Sequence, residues 1–208
     1  MENPVHACVM TDPSPLAPGS ALARLTEALG PDTGRKGLPP VERWNPVYCG
    51  EIDMRIAADG TWHYMGSPIN RPALVRLFST VLRKDPERYV LVTPVERVGI
   101  IVEDVPFIAV EMAVEGEGEG RQIAFRTNVD DLVQVGPDRP LRFEQDSKGG
   151  VRPYVKVRGE LWARVTRALA LDLVALGEER DLNGEATFGV AAGGAFFPVA
   201  PASELGVP

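Results

Sequence analysis

A chain of 208 residues, 44% hydrophobic and 25% charged, can bury a core in one domain of ordinary size or in two small ones, and fits a soluble globular protein. Its net charge of −7 argues against nucleic acid or an anionic membrane as the main partner, because both require a basic face. No apolar run approaches the roughly 20 residues of a bilayer span, and MENPVHACVMTDPSP lacks the basic start and apolar stretch of a secretory signal, so a cytoplasmic protein is expected.

In chain order, residues 1–37 read as a proline-rich, partly ordered arm with one short helix, capped by Ser20, carrying Leu22, Leu25 and Leu29 on one face and stopped at Gly30-Pro31. Cys8 lies in this arm and Cys49 beyond it. They form no CxxC pair, which suggests reduced thiols, with Cys49 a small buried side chain.

The stretch IDMRIAADGTWHYMGSPINR alternates apolar and polar residues on both sides of Ala58-Asp59-Gly60. A two-residue Asp-Gly turn would split the apolar set between faces. A three-residue loop with Gly60 left-handed instead sets Ile56 opposite Trp62 and Met54 opposite Tyr64, and is the expected register. His63 then faces Arg55, with Asp53 diagonal to it, and no serine or cysteine is placed for His63 to deprotonate. A helix follows, capped by Asn70 with Pro72 in its first turn, and Leu74, Leu77, Phe78, Val81 and Leu82 form its apolar stripe.

From Tyr89 the pattern is of strands. YVLVT, VGIIVED, VPFIAVEMAVE, RQIAFRT, DLVQV, PLRFEQ and RPYVKV are seven successive candidates, with GEGEG as a solvated hairpin tip. A long helix is expected over 160–176, with Leu161, Val165, Leu169, Leu173 and Leu176 inward and Gly177 closing it. The remainder, 178–208, reads as a docking tail.

Two regularities of organisation emerge. Strand, glycine turn, strand, helix occurs at 52–84 and again at 141–176, with Tyr64 and Tyr154 on the second strands. Seven strands closed by an amphipathic helix is also the element order of pleckstrin-homology-like domains. The expected fold is therefore α+β and duplicated: an N-terminal hairpin-plus-helix half over 38–88, then a C-terminal seven-stranded pleckstrin-homology-like half with its closing helix over 89–177.

The motifs WNPVYCGEIDMRI, DGTWHYMGSPINRPALVRLFS and LVTPVE, with TNVDDLVQVGPDRPLR and RPYVKVRGELWARV downstream, make the chain from about Leu38 to Leu176 resemble the bacterial domain-of-unknown-function family 1285. The resemblance implies a two-part α+β fold with a duplicated core, no established enzymatic activity, and a ligand site between the parts for a nucleotide-like molecule in signal transduction. Residues suited to such a site are Trp44 as a stacking plane, Asn45 as a two-way amide, Arg71 at a helix start for a phosphate or carboxylate, and the strand-end groups Thr93, Glu96, Thr127 and Asn128.

Basic residues gather at 71–88 and again at 152–167, where a phosphate-bearing ligand would need two or three of them. Neither GxxxxGK[ST] nor GxGxxG occurs, and no cofactor or metal is implied. Three readings stand. The first is a non-catalytic sensor or adaptor for a small anionic or nucleotide-like ligand. The second is a protein-interaction module using the pleckstrin-like half or the tail. The third is an enzyme using His63, Asp53 or Cys49.

Overall fold

The computed structural model describes residues 37–145 and 150–204, so the arm with its Ser20-capped helix lies outside the described residues. The chain divides into two units after Asp104, each mostly sheet with one α-helix. Among the described residues no helix is long and apolar enough to cross a membrane.

The first unit holds a six-stranded sheet. Its strands are β1 (Tyr48–Ile56), β2 (Trp62–Tyr64), β3 (Ser67–Pro68), β4 (Leu82–Lys84), β5 (Tyr89–Val92) and β6 (Arg97–Val102), in the order β3-β2-β1-β6-β5-β4. The β1–β2 register is the expected one: Met54 faces Tyr64, Arg55 faces His63 and Ile56 faces Trp62. Ala57 N–H donates to Thr61 O at 2.9 Å, enclosing the three-residue loop, and Gly60 takes φ +85°. That register sends Met54, Ile56, Trp62 and Tyr64 to the buried face, where Trp62 stacks on Phe78 of α1 (Pro72–Thr80) with centroids 6.4 Å apart.

Two boundaries differ from expectation. Arg71, not Asn70, is the N-cap of α1, because Pro72 occupies the first turn and forces extended backbone (φ −120°, ψ 97°) on the residue before it. The helix also stops at Thr80, so that Leu82 lies in a strand. Ser79 and Thr80 hydroxyls donate to the carbonyls of Arg76 and Leu77, occupying acceptors of the last turn, and Val81 O accepts Val92 N–H at 2.9 Å.

Tyr89–Val92 and Arg97–Val102, expected to open the second half, instead complete the first sheet. β5 pairs with β4 and β6, and β6 lies parallel to β1. The division accordingly falls after Asp104 rather than after residue 88.

The second unit has strands β7 (Phe107–Glu115), β8 (Gln122–Thr127), β9 (Leu132–Gln134), β10 (Leu141–Gln145), β11 (Val151–Arg158) and β12 (Leu161–Val165), in the order β10-β11-β12-β7-β8-β9. All seven expected strands exist, five of them here. The sixth strand of this sheet was expected as the start of a helix. Leu161, Ala163 and Val165 are buried while Trp162 and Arg164 are half-buried, a period of two, and α2 spans only Arg167–Ala175. Numbered from their own first strands, both sheets read 3-2-1-6-5-4, with first and last strands parallel. The expected match of 52–84 with 141–176 therefore pairs unlike positions: β1 and β2 are first and second strands, whereas β10 and β11 are fourth and fifth.

The tail expected over 178–208 is largely a three-stranded antiparallel sheet of β13 (Glu178–Leu182), β14 (Glu185–Ala192) and β15 (Ala195–Pro201). β15 lies against β10 at one edge of the six-stranded sheet. At the β14–β15 turn, Gly193 N–H donates to Arg121 O at 2.9 Å, just before β8, and Arg121 Nη1 donates to Leu176 O at 2.7 Å. β13 is an outer strand with Glu179, Asp181 and Leu182 exposed.

Gly60→Ala should lower stability by about 1–2 kcal/mol, the cost of a side chain in the left-handed region, read as a shift of the urea midpoint. An unchanged midpoint would show that the loop relaxes to another turn.

Candidate functional site

The first unit's β1–β6 pair is polar on the face opposite α1. The registers place Tyr48 beside Arg97, Glu51 beside Gly99 and Arg55 beside Ile101. Gly99 is required by close approach: a Cβ there would stand 2.6 Å from the Tyr48 hydroxyl and 2.9 Å from Glu51 Cγ, so the Tyr48 ring is laid down on the sheet. Two guanidinium groups meet that ring. Arg88 lies 4.7 Å from its centroid and donates from Nη1 to the Tyr48 hydroxyl at 2.8 Å; Arg97 lies 5.9 Å away. The hydrogen bond to Tyr48 raises the Arg88 pKa further, so this cation stays charged at any working pH.

Arg97 Nη1 donates to Asp85 Oδ2 at 3.1 Å, while its buried Nε–H has no hydrogen-bond acceptor among the described residues. Asp85 is shared with Arg83, whose Nε reaches Oδ1 at 2.7 Å. Arg83 is buried, and its Nη1 donates to the carbonyls of Val41 and Trp44, each at 2.7 Å. These bonds hold the 3-10 turn Val41–Arg43 and the WNP segment to β4.

The sequence-predicted residues are distributed unevenly around this cluster. Trp44 is half-buried and tied down through its carbonyl, and Asn45 is exposed. Thr93 is fully buried as a turn lock: its Oγ accepts the amides of Val95 (3.3 Å) and Glu96 (3.1 Å), and its N–H donates to Glu96 O. The Tyr48–Arg97 register sets Thr93 and Glu96 at the start of the β1–β6 pair.

Arg71 is exposed near the other end, since Ile69 N–H bonds Trp62 O and Trp62 faces Ile56, the last residue of β1. Eight residue steps of β1 separate the two ends, roughly 26 Å. In the second unit Thr127 repeats the Thr93 device, its Oγ accepting the amides of Val129 and Asp131. Asn128 bonds Ile108 twice, donating its N–H at 2.8 Å and accepting on Oδ1 at 3.0 Å.

His63, half-buried, faces Arg55 and Pro68, and its Nδ1 has no hydrogen bond among the described residues. The carboxylates near it hold the turn. Glu103 accepts the Ala58 amide at 2.8 Å and pairs with Arg55, and Asp59 accepts the Thr61 amide at 2.9 Å. The Ala58 amide, then Arg55, hold the Glu103 carboxyl below the usual range, and hydrogen bonds from Thr61 do the same for Asp59. Cys49 is half-buried where a buried side chain was expected, and it is disulfide-bonded, which overturns the expected reduced thiol; Cys8 lies outside the described residues.

Sequence reasoning did not assemble Tyr48, Arg88 and Arg97. The usable signal was Gly99 inside an otherwise apolar strand, which marks a close approach to the backbone.

Two family models match the chain: "Domain of unknown function (DUF1285), N-terminal domain" over residues 39–105 and "Protein of unknown function (DUF1285), C-terminal domain" over residues 106–199. The crystal structure of a DUF1285 family protein from Silicibacter pomeroyi DSS-3 is 47% identical, with TM-score 0.76, covering 82% of this chain and 91% of that one. A DUF1285 family protein from Shewanella baltica OS155 is 24% identical, with TM-score 0.49, covering 60% of this chain and 91% of that one. No curated protein matches.

Two outcomes follow from this geometry. Arg83→Ala, which strands two carbonyls and part of Asp85, should cost roughly 3 kcal/mol in urea unfolding. For Glu103 and Asp59 the folded pKa lies below the unfolded one, so their stabilisation is complete above the ordinary carboxylate range and is lost as pH falls through the lowered value. The Ala58 amide shift, followed by NMR, should therefore titrate below the ordinary glutamate midpoint, and Glu103→Gln should flatten it. A midpoint at the ordinary value would contradict the assignment.

Proposed function

The chain belongs to the DUF1285 family, and from that premise we propose that it is a non-catalytic binding protein for a small, anionic, nucleotide-like ligand, acting in signal transduction. The observation that carries the reading is the Tyr48 ring laid over Gly99 with the guanidinium groups of Arg88 and Arg97 4.7 and 5.9 Å from its centroid. A ring and two fixed cations match a planar group bearing a phosphate or carboxylate. The unmatched Nε–H of Arg97 adds a donor to that set. Trp44, Asn45, Thr93 and Glu96 belong to the same region of the first unit and form the periphery of the proposed site. Arg71, Thr127 and Asn128 are not needed for it.

The enzyme reading is less well supported, because the register sets Arg55 rather than Asp53 opposite His63, and Glu103 and Asp59 are engaged by turn amides and Arg55. The adaptor reading through the tail is left with less aromatic surface than its three phenylalanines suggest, since Phe197 is buried along with Val190 and Phe188 and Phe196 are half-buried. We further read the second unit as pleckstrin-homology-like, on the ground that α2 follows directly on a run of antiparallel strands.

The test is a thermal-shift screen with nucleoside mono-, di- and triphosphates. A compound at a hundred times its Kd should stabilise the chain by about 2.7 kcal/mol. Arg88→Ala with Arg97→Ala should abolish the shift and Arg71→Ala should leave it. The reverse pattern would move the site to the head of α1, and the absence of any shift across the screen would count against the reading itself.

A further inference from the structure

The second basic run of the sequence folds onto one face of the second unit. Tyr154 on β11 pairs with Arg142 on β10 and with Arg164 on β12. Arg152 and Lys156, two residues to either side, project to the same face as Tyr154. Four cationic side chains thus occupy the nearest neighbouring positions around a single ring, and the ring itself is only 1% exposed.

Arg142 is held in place by aromatic contact, its guanidinium carbon 4.9 Å from the Tyr154 centroid and 4.5 Å from that of Trp162. Glu144 reaches Arg142 Nε at 3.1 Å and Glu160 reaches Lys156 Nζ at 2.7 Å. Among these six residues the face carries four positive charges and two negative ones, on a chain whose net charge is −7. Arg152 lies directly opposite Glu144, whereas Arg142 and Arg164 stand diagonal to both Arg152 and Lys156 across Tyr154. An arginine stacked on two rings cannot swing away to relieve that proximity of like charges.

We infer that this face is a docking surface for a ligand carrying two or more linked phosphate groups. The spacing selects that class. Arg142 and Arg164 stand two strand spacings apart, roughly 10 Å, and Arg152 and Lys156 stand four residues apart, roughly 13 Å. One phosphate cannot engage cations so spread, whereas a polyphosphate can bridge them. The surface lies on the second unit and uses none of the residues assigned to the Tyr48 cluster, so it goes beyond the function proposed above.

The experiment is calorimetric titration with inorganic orthophosphate, pyrophosphate and tripolyphosphate at constant ionic strength, using the full chain. Affinity should rise with the number of phosphates and fall with added salt, as charge pairing on a surface does. Arg152→Gln, at an exposed position, should weaken tripolyphosphate binding about tenfold, the loss of one charge-assisted contact. Arg142→Gln should weaken it at least as much, with circular dichroism verifying its fold. Arg76→Gln, at an exposed position on the first unit's helix that neither proposal uses, should bind as the parent does. The inference is overturned by an absence of tripolyphosphate binding at low salt, or by binding that neither Arg152→Gln nor Arg142→Gln weakens. If Arg88→Ala alone abolishes it, the phosphate belongs to the first unit's cluster: this inference falls and the earlier proposal stands.

Discussion

In each unit the sheet is joined at its centre by two strands that run side by side in the same direction although most of the unit's sequence separates them: β1 with β6, and β7 with β12. Every other pair in these sheets is an antiparallel neighbour that a short turn can bring together. The parallel pair alone unites two three-stranded meanders into one surface, and it sets which side chains meet. It brings Arg97 to Tyr48 and Gly99 to Glu51 in the first unit, and it aligns Arg164 with Ile108 in the second. Long-range closure of this kind has a larger entropic cost than a hairpin.

Buried charge then holds the segment that precedes the first sheet. Arg83 connects two carbonyls of the 41–44 segment to Asp85, and Asp85 connects onward to Arg97. The candidate site is therefore an extension of a structural network, in which one arginine secures the WNP segment and the next two frame an aromatic ring. Strand-end threonines serve both units in the same way, Thr93 and Thr127 each folding the chain back onto their own hydroxyl. Polar residues that look available for a ligand in the sequence are in these cases bonded to the turns they make.

How much could be read beforehand depended on the range of the interaction. The β1–β2 hairpin was legible to the residue, because alternation and a glycine at the third loop position leave a single register that buries Met54, Ile56, Trp62 and Tyr64 together. The division of the chain was not, because nothing local in YVLV or RVGIIV says whether the partner strand lies before or after it. LWARV was misread as a helix since Leu161 and Val165 are also four apart, and the period of two shows only when Ala163 is counted as apolar. Of the binding residues expected, Thr93, Thr127 and Asn128 also hold turns, through bonds to backbone amides that their residue types alone do not specify. The Tyr48 cluster required a parallel register that no turn encodes.

One feature at the end of the fold bears on how the protein behaves at high concentration. β13 presents its outer edge with the sequence Glu-Glu-Arg-Asp-Leu. Two molecules meeting antiparallel along this strand about Arg180 would set guanidinium against guanidinium and Glu179 against Asp181, unfavourable on both counts. The terminal sheet is in this way guarded against growing by addition of like strands. Among the described residues no strand pairs along that border, and its alternating charges discourage a second copy from doing so.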